Sequence, residues 1–144
     1  MATLSPRSEF FMDLAKAKTV TTRRLDGRLS QRGIGFSDFM ILYHLSQAPE
    51  GKLRRIDLAE RIGFTASGVT RMLIPMEKIG LVKREVNESD ARVSFVALAP
   101  GGKRLFAESL EDVDMVAEDL IPQSKMRVLR DFSDLLAELG KAVV

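Results

Sequence analysis

The sequence contains no cysteine and only one histidine, His44. The first absence excludes disulfides, thiolate metal sites and any cysteine-based redox switch. With one imidazole and no thiol, no zinc site is expected, and nothing in the sequence calls for a cofactor. No uninterrupted apolar run approaches the ~20 residues needed to span a bilayer. The first residues, Met1-Ala2-Thr3-Leu4-Ser5-Pro6-Arg7, lack the basic-then-apolar pattern of a secretory leader, so the expected compartment is the cytoplasm. Repeats and low-complexity segments are missing too. So are a nucleophile–base pair, a phosphate-cradling glycine loop and a cluster of metal ligands, and an enzyme is therefore not expected.

What is present suits one soluble domain: 144 residues, 45% hydrophobic and 29% charged. The net charge of +2 is unevenly spread. Residues 52–92 carry nine basic and six acidic side chains, whereas residues 93–144 carry six basic and nine acidic. A basic middle followed by an acidic arm suggests that the middle faces a polyanion, although a solvated surface of mixed charge would look similar.

Periodicity supplies six helices and a hairpin, a mainly α chain with a small β-hairpin wing. The first helix, 8–29, carries Phe10, Leu14, Ala17, Thr21, Leu25 and Leu29 at spacings of three and four. The second opens at Phe36-Ser37-Asp38 with Ser37 as its expected cap, and Phe39, Leu42, Tyr43 and Leu45 form its apolar face. A short third helix, 55–62, places Ile56, Ala59 and Ile62 on one side and ends at Gly63. Thr65 or Ser67 caps a fourth, reaching to about residue 79, with Val69, Leu73 and Met76 turned inward. Pro75 should kink it. Strands at 81–86 and 93–98 flank the turn formers Asn87-Glu88-Ser89-Asp90. The fifth helix, 103–120, turns Leu105, Phe106, Leu110, Val113, Val116, Ala117 and Leu120 inward and an acidic face outward: Glu108, Glu111, Asp112, Asp114, Glu118 and Asp119. Pro122 fits the first turn of a sixth, striped by Met126, Leu129, Phe132, Leu135, Leu136, Leu139 and Val143.

Residues 36–99 thus follow helix–helix–turn–helix–hairpin order, a winged helix-turn-helix between terminal helices at 8–30 and 103–143. Such a unit presents its second helix to the DNA major groove, and the entering face must be slim and polar. The fourth helix offers Thr65, Ser67, Gly68, Thr70 and Arg71 outside its apolar stripe. Its small residues admit the backbone to base edges, and Arg71 suits guanine or a phosphate. Lys83 and Arg84 add candidate phosphate contacts, and Arg92 at the wing tip suits a narrow minor groove. A winged module that binds only protein is the alternative. Arg23, Arg24 and Arg28 read as a solvated basic face or as one wall of an acidic-ligand pocket. Met40 and His44 read as core and interface residues or as parts of a pliable cleft.

Three runs carry a family resemblance: Asp57-Leu58-Ala59-Glu60-Arg61-Ile62-Gly63, Ser67-Gly68-Val69-Thr70-Arg71-Met72, and Leu73 to Val82 ending in Glu77-Lys78-Ile79-Gly80-Leu81-Val82. With Asp90-x-Arg92, Val96-x-Leu98 and Gly102 they resemble the MarR family of bacterial regulators over nearly the whole chain. The resemblance implies a homodimer with interlocked terminal helices, Arg92 as a minor-groove arginine, and Asp90 bracing the wing by pairing with Arg71. It also implies a palindromic operator in double-stranded DNA near the regulated genes. Repression would be relieved by a small anionic or phenolic effector in a cleft for which Arg23, Met40 and His44 are candidates. The lack of cysteine excludes the peroxide sensing of some relatives.

Overall fold

The computed structural model describes residues 1–90 and 92–141. Helix α1 spans Pro6–Leu29, starting two residues before the expected first residue, Ser8. The Ser5 hydroxyl accepts from the Ser8 N–H at 3.2 Å, and Pro6 occupies the first turn, where its missing N–H costs nothing. A single 3₁₀ turn, Ser30–Arg32, closes on Gly33 at φ 79°, a left-handed backbone that glycine adopts without strain. Helix α2, Phe36–Gln47, is capped differently from expectation. Its N-cap is Gly35, not Ser37. The Asp38 carboxylate accepts from the Gly35 N–H at 2.9 Å, and Asp26 of α1 accepts from the Phe36 N–H at 2.7 Å. Two carboxylates thus satisfy the helix start and leave Ser37 no capping role.

Strand β1, Lys52–Arg54, precedes α3, Arg55–Ile62, and α4, Ala66–Lys78. Strands β2, Val82–Val86, and β3, Ser94–Leu98, form the expected hairpin. The sheet has three strands, however, in antiparallel order β1-β3-β2, with Leu53 opposite Val96. Three residues are too few to display an alternation, so β1 exists only through a partner some forty positions later. Ala59 is buried as expected, but Ile56, expected inward, is exposed and Leu58 faces the core in its place. Pro75 lies within an unbroken α4 on its exposed side, so the Arg71 carbonyl it leaves without an intrahelical donor is not forced into the core.

Helix α5 runs Pro100–Leu120, three residues earlier than its hydrophobic stripe suggests. Pro100 takes the first turn, and the two glycines that read as punctuation are helical because the chain passes against the 80–81 turn there. A Cβ on Gly101 would lie 2.8 Å from the Gly80 carbonyl oxygen, and one on Gly102 would overlap that of Leu81. The same Leu81 oxygen accepts from the Ala99 N–H at 3.0 Å. Pro122 does not open the last helix. A 3₁₀ turn, Gln123–Lys125, intervenes before α6, Met126–Gly140. Val143 of the expected stripe lies outside the described residues.

One core joins Phe39, Ile41, Leu42 and Leu45 of α2 to Leu58, Val69, Leu73, Met76, Val82 and Val96. The α5 acidic face is not uniformly solvated. The Asp112 side chain is only 7% exposed. It accepts from Arg28 Nε at 3.1 Å and from Arg32 Nε, while Arg32 also reaches Glu108 at 3.2 Å. These ion pairs fasten the end of α1 to the middle of α5. The hydrogen bond from Arg32, with that from Arg28, holds the Asp112 carboxyl below the usual carboxylate range against the opposing effect of burial.

Two outcomes follow from this packing. Gly102→Ala drives a methyl into a backbone carbonyl, and the thermal midpoint falls by ~10 °C or more in a melt followed by circular dichroism. Asp112→Asn costs about 2 kcal/mol at neutral pH in urea denaturation. That is less than for a sealed ion pair, because both arginines can reach water. A depressed carboxyl stabilises above its unfolded pKa and loses that contribution as pH falls through the folded one. The gap between wild type and Asp112→Asn therefore closes on acidification below pH ~4.

Candidate nucleic-acid interface

The turn between α3 and α4 is built from three residues. Gly63 adopts φ 74°, Phe64 N–H donates to the Ala59 carbonyl at 3.0 Å, and Thr65 caps α4 by accepting from the Gly68 N–H at 3.0 Å. Leu58 and Ala59 on one side of the turn, and Val69, Leu73 and Met76 on the other, are buried in the common core. This fixes the rotation of α4. With its inner face committed, Ser67, Arg71, Ile74 and Lys78 recur at helical spacing on the outer face, all exposed. Thr70 is half-buried and donates to the Ala66 carbonyl at 2.9 Å, so its hydroxyl is already partly engaged. Ser67 Oγ lies 3.4 Å from Thr65 Oγ1. Gly68 packs closely against the cap, where a Cβ would stand 3.0 Å from Thr65 Oγ1.

Beside α4 stands the wing. Asn87 ties its turn by accepting from the Ser89 N–H at 2.8 Å, and Asp90 N–H donates to the Asn87 carbonyl at 3.2 Å. The Asp90 carboxylate accepts from the Arg92 backbone N–H at 3.0 Å and from its guanidinium at 3.1 and 3.3 Å. The Arg92 guanidinium, helped by that backbone bond, lowers the Asp90 carboxyl below its ordinary range. The Arg92 side chain is nevertheless 91% exposed. The expected Asp90–Arg71 pair does not form, and among the described residues no ion pair joins the two. A guanidinium two residues away in the same turn takes the carboxylate first, so Asp90 braces the wing tip rather than bridging to α4.

The wing meets α4 along a groove lined by Arg55, Thr70, Ile74, Glu77, Lys83 and Arg84. Arg84 reaches Glu77 at 4.0 Å, and Lys83 reaches Glu85 at 3.5 Å. Both cations are exposed and only loosely paired, which leaves them available to phosphates. Arg55 was not among the residues expected at this surface. It lies in the basic middle of the sequence, but only β1, which sets the start of α3, brings it to the groove.

The three candidate cleft residues do not converge. Arg23 lines a cleft of about 400 Å³ between α1 and α5, together with Arg24, Arg28, Met115 and Asp119. Met40 and His44 lie on α2 and do not line it. His44 is edge-on to Tyr43 at 5.2 Å between ring centres. Burial and, secondarily, Arg61 push its pKa down, which favours the neutral ring.

A tripartite α3–turn–α4 unit with a three-stranded wing, a slim polar outer helix face and cations on the wing defines a DNA-binding winged helix-turn-helix protein of the transcriptional-regulator class. The chain belongs to the MarR family. The MarR family model matches residues 37–94, from α2 to the start of β3. The HTH-type transcriptional regulator FarR of Neisseria gonorrhoeae is 30% identical over 144 residues, covering 98% of this chain and 95% of the relative. Solved structures that share the fold include two regulators. One is Sco3205 of Streptomyces coelicolor, in complex with DNA (TM-score 0.80, 22% identity, 99% of this chain and 92% of that one). The other is CouR of Rhodococcus jostii RHA1, bound to p-coumaroyl-CoA (TM-score 0.85, 16% identity, 99% of each chain).

The cap at Thr65 is the local device that aims α4. Thr65→Ala removes it and costs about 1 kcal/mol in chemical denaturation, whereas Thr65→Ser retains most of that stability.

Proposed function

We propose that the protein is a homodimeric repressor that binds a palindromic operator near the genes it controls and leaves it when a small anionic or phenolic molecule binds. The observation that carries this reading is the outer face of α4, where Ser67 and Arg71 stand exposed beside a wing whose Arg92 is almost fully in solvent. Ser67, Gly68 and Arg71 read bases in the major groove, with Thr65 and Thr70 steadying that helix. Lys83, Arg84 and Arg55 hold phosphates across the groove edge, and Arg92 enters the minor groove. Asp90 contributes by holding the exposed Arg92 guanidinium at the wing tip.

Dimerisation is supported by the terminal helices. No residue of α6 is buried in a single chain. Val128, Phe132, Leu135 and Leu136 are exposed, as are Phe11 and Met12 of α1 and Leu110 and Met115 of α5. Phe132 touches Phe10 at 5.7 Å between ring centres, but the remaining apolar side chains stay exposed among the described residues. Water-facing apolar area on this scale is what a second copy would bury. It also explains why Leu110 and Ala117, expected inward, are exposed in one chain. In the dimer, the two α4 helices should stand one DNA turn apart, ~34 Å, or a multiple of it. The effector reading draws on CouR, which holds an acyl-CoA ligand, and on the arginine-lined cleft between α1 and α5.

Fluorescence anisotropy with the DNA upstream of the protein's own gene, across a salt series, tests the reading. Wild type binds selectively, and its affinity falls steeply with salt. The double variant Arg71→Ala/Arg92→Ala loses at least ~30-fold in affinity with a shallower salt dependence, yet remains a dimer by light scattering. If wild type selects no sequence even from a random duplex pool, the reading fails, and a protein-binding winged module replaces it.

A further inference from the structure

Ile74 is an anomaly on the outer face of α4. Its side chain is half in solvent, 50% exposed, on a helix whose inner positions Val69, Leu73 and Met76 are buried. Helix propensity does not account for it, because a β-branched residue is a poorer helix former than Ala, Lys or Gln at an exposed site. Core packing accounts only for its inner half, which shares the groove with the buried Leu73, Val82 and Val96; the outer half faces solvent. Its surroundings are those of a polyanion-binding surface. Arg71 and Ser67 lie one and two turns before it on the same face, Lys78 one turn after it, and it shares the wing groove with Arg55, Lys83 and Arg84. Ile79, exposed as well, is the C-cap, beyond the end of this stripe.

The solvent-facing half of Ile74, amid cations that hold a duplex, has one apolar partner available on that duplex. The edges of all four base pairs offer hydrogen-bond donors and acceptors in the major groove, and only thymine adds a hydrocarbon group, its C5-methyl. We propose that Ile74 is a specificity-determining residue that packs on a thymine methyl in each operator half-site. This inference rests on the reading of α4 as the groove-entering helix. Arg71 and Ser67 then supply the polar part of the recognition, and Ile74 excludes water from one A·T step and discriminates against cytosine or guanine at that position.

The test starts from duplexes selected by the wild-type dimer out of a random pool. Each thymine is replaced singly by deoxyuridine, which removes the methyl and leaves every hydrogen-bonding group intact. Burial of one methyl predicts that one deoxyuridine position per half-site weakens wild-type binding about fourfold. Ile74→Ala binds the parent duplex more weakly and shows no further loss at that position, while Ile74→Val keeps the discrimination. Because the side chain is exposed, both variants should melt close to wild type, which separates lost contact from lost fold. If wild type and Ile74→Ala respond alike to every deoxyuridine substitution, the inference is overturned and the DNA-binding reading stands. If wild type selects no sequence at all, both are overturned.

Discussion

The Asp112 carboxylate, held by Arg28 and Arg32, is the constraint on which the rest of the chain depends. A carboxylate nearly out of water is tolerable only when its charge is met, and two guanidinium groups from one turn of chain meet it. The end of α1 is thereby fixed against α5, and the Gly33 turn and the carboxylate-capped start of α2 follow directly from that end. Helix α2 carries the centre of the core. The same ion pairs therefore join the helices left open at the surface to the helix around which the winged unit is packed.

From α2 outward, each element sets the next. Leu58 and Val69 share the core, so the α3–α4 turn is rotated as a unit, and its glycine and threonine determine where α4 begins. The wing is anchored on two sides, by β1 pairing with β3 and by the passage of α5 against Leu81. What reaches solvent at the end of this sequence is a short array of side chains, Ser67, Arg71, Ile74, Arg84 and Arg92, on two supports that share a single core.

Much of this was legible in the sequence. The inner stripe of α4, the Gly63 turn, the hairpin and its Asn87–Asp90 turn all announce themselves through period and turn chemistry. What escaped did so for definite reasons. Strand β1 is too short for a pattern. Periodicity alone put Asp112 among the solvated acids, because the arginines that bury it lie eighty positions away. Ser37 was a plausible cap, but Asp38 and Asp26 secure the Gly35 and Phe36 N–H groups, so the helix starts two residues earlier and Ser37 lies inside its first turn. Glycines at 101 and 102 read as a stop, whereas close approach of the 80–81 turn requires them inside a helix. Among candidate site residues, the α4 and wing positions share one surface, but Arg23 stands apart from Met40 and His44. Asp90 finds the nearest guanidinium rather than the one across the groove.

The contact between Gly102 and Leu81 has a mechanical implication. With no side chain between them, the first turn of α5 and the junction of α4 with the wing move without slack, so α5 acts as a lever whose short end is seated on the winged unit. At 1.5 Å per residue its 21 residues extend ~31 Å. A tilt of ~5° about that seat carries the far end through nearly ~3 Å by simple trigonometry on that length. In the proposed dimer, with those far ends clasped together, the same tilt would appear instead as a change of spacing between the two α4 helices. A periodic duplex registers a shift of that size as misalignment.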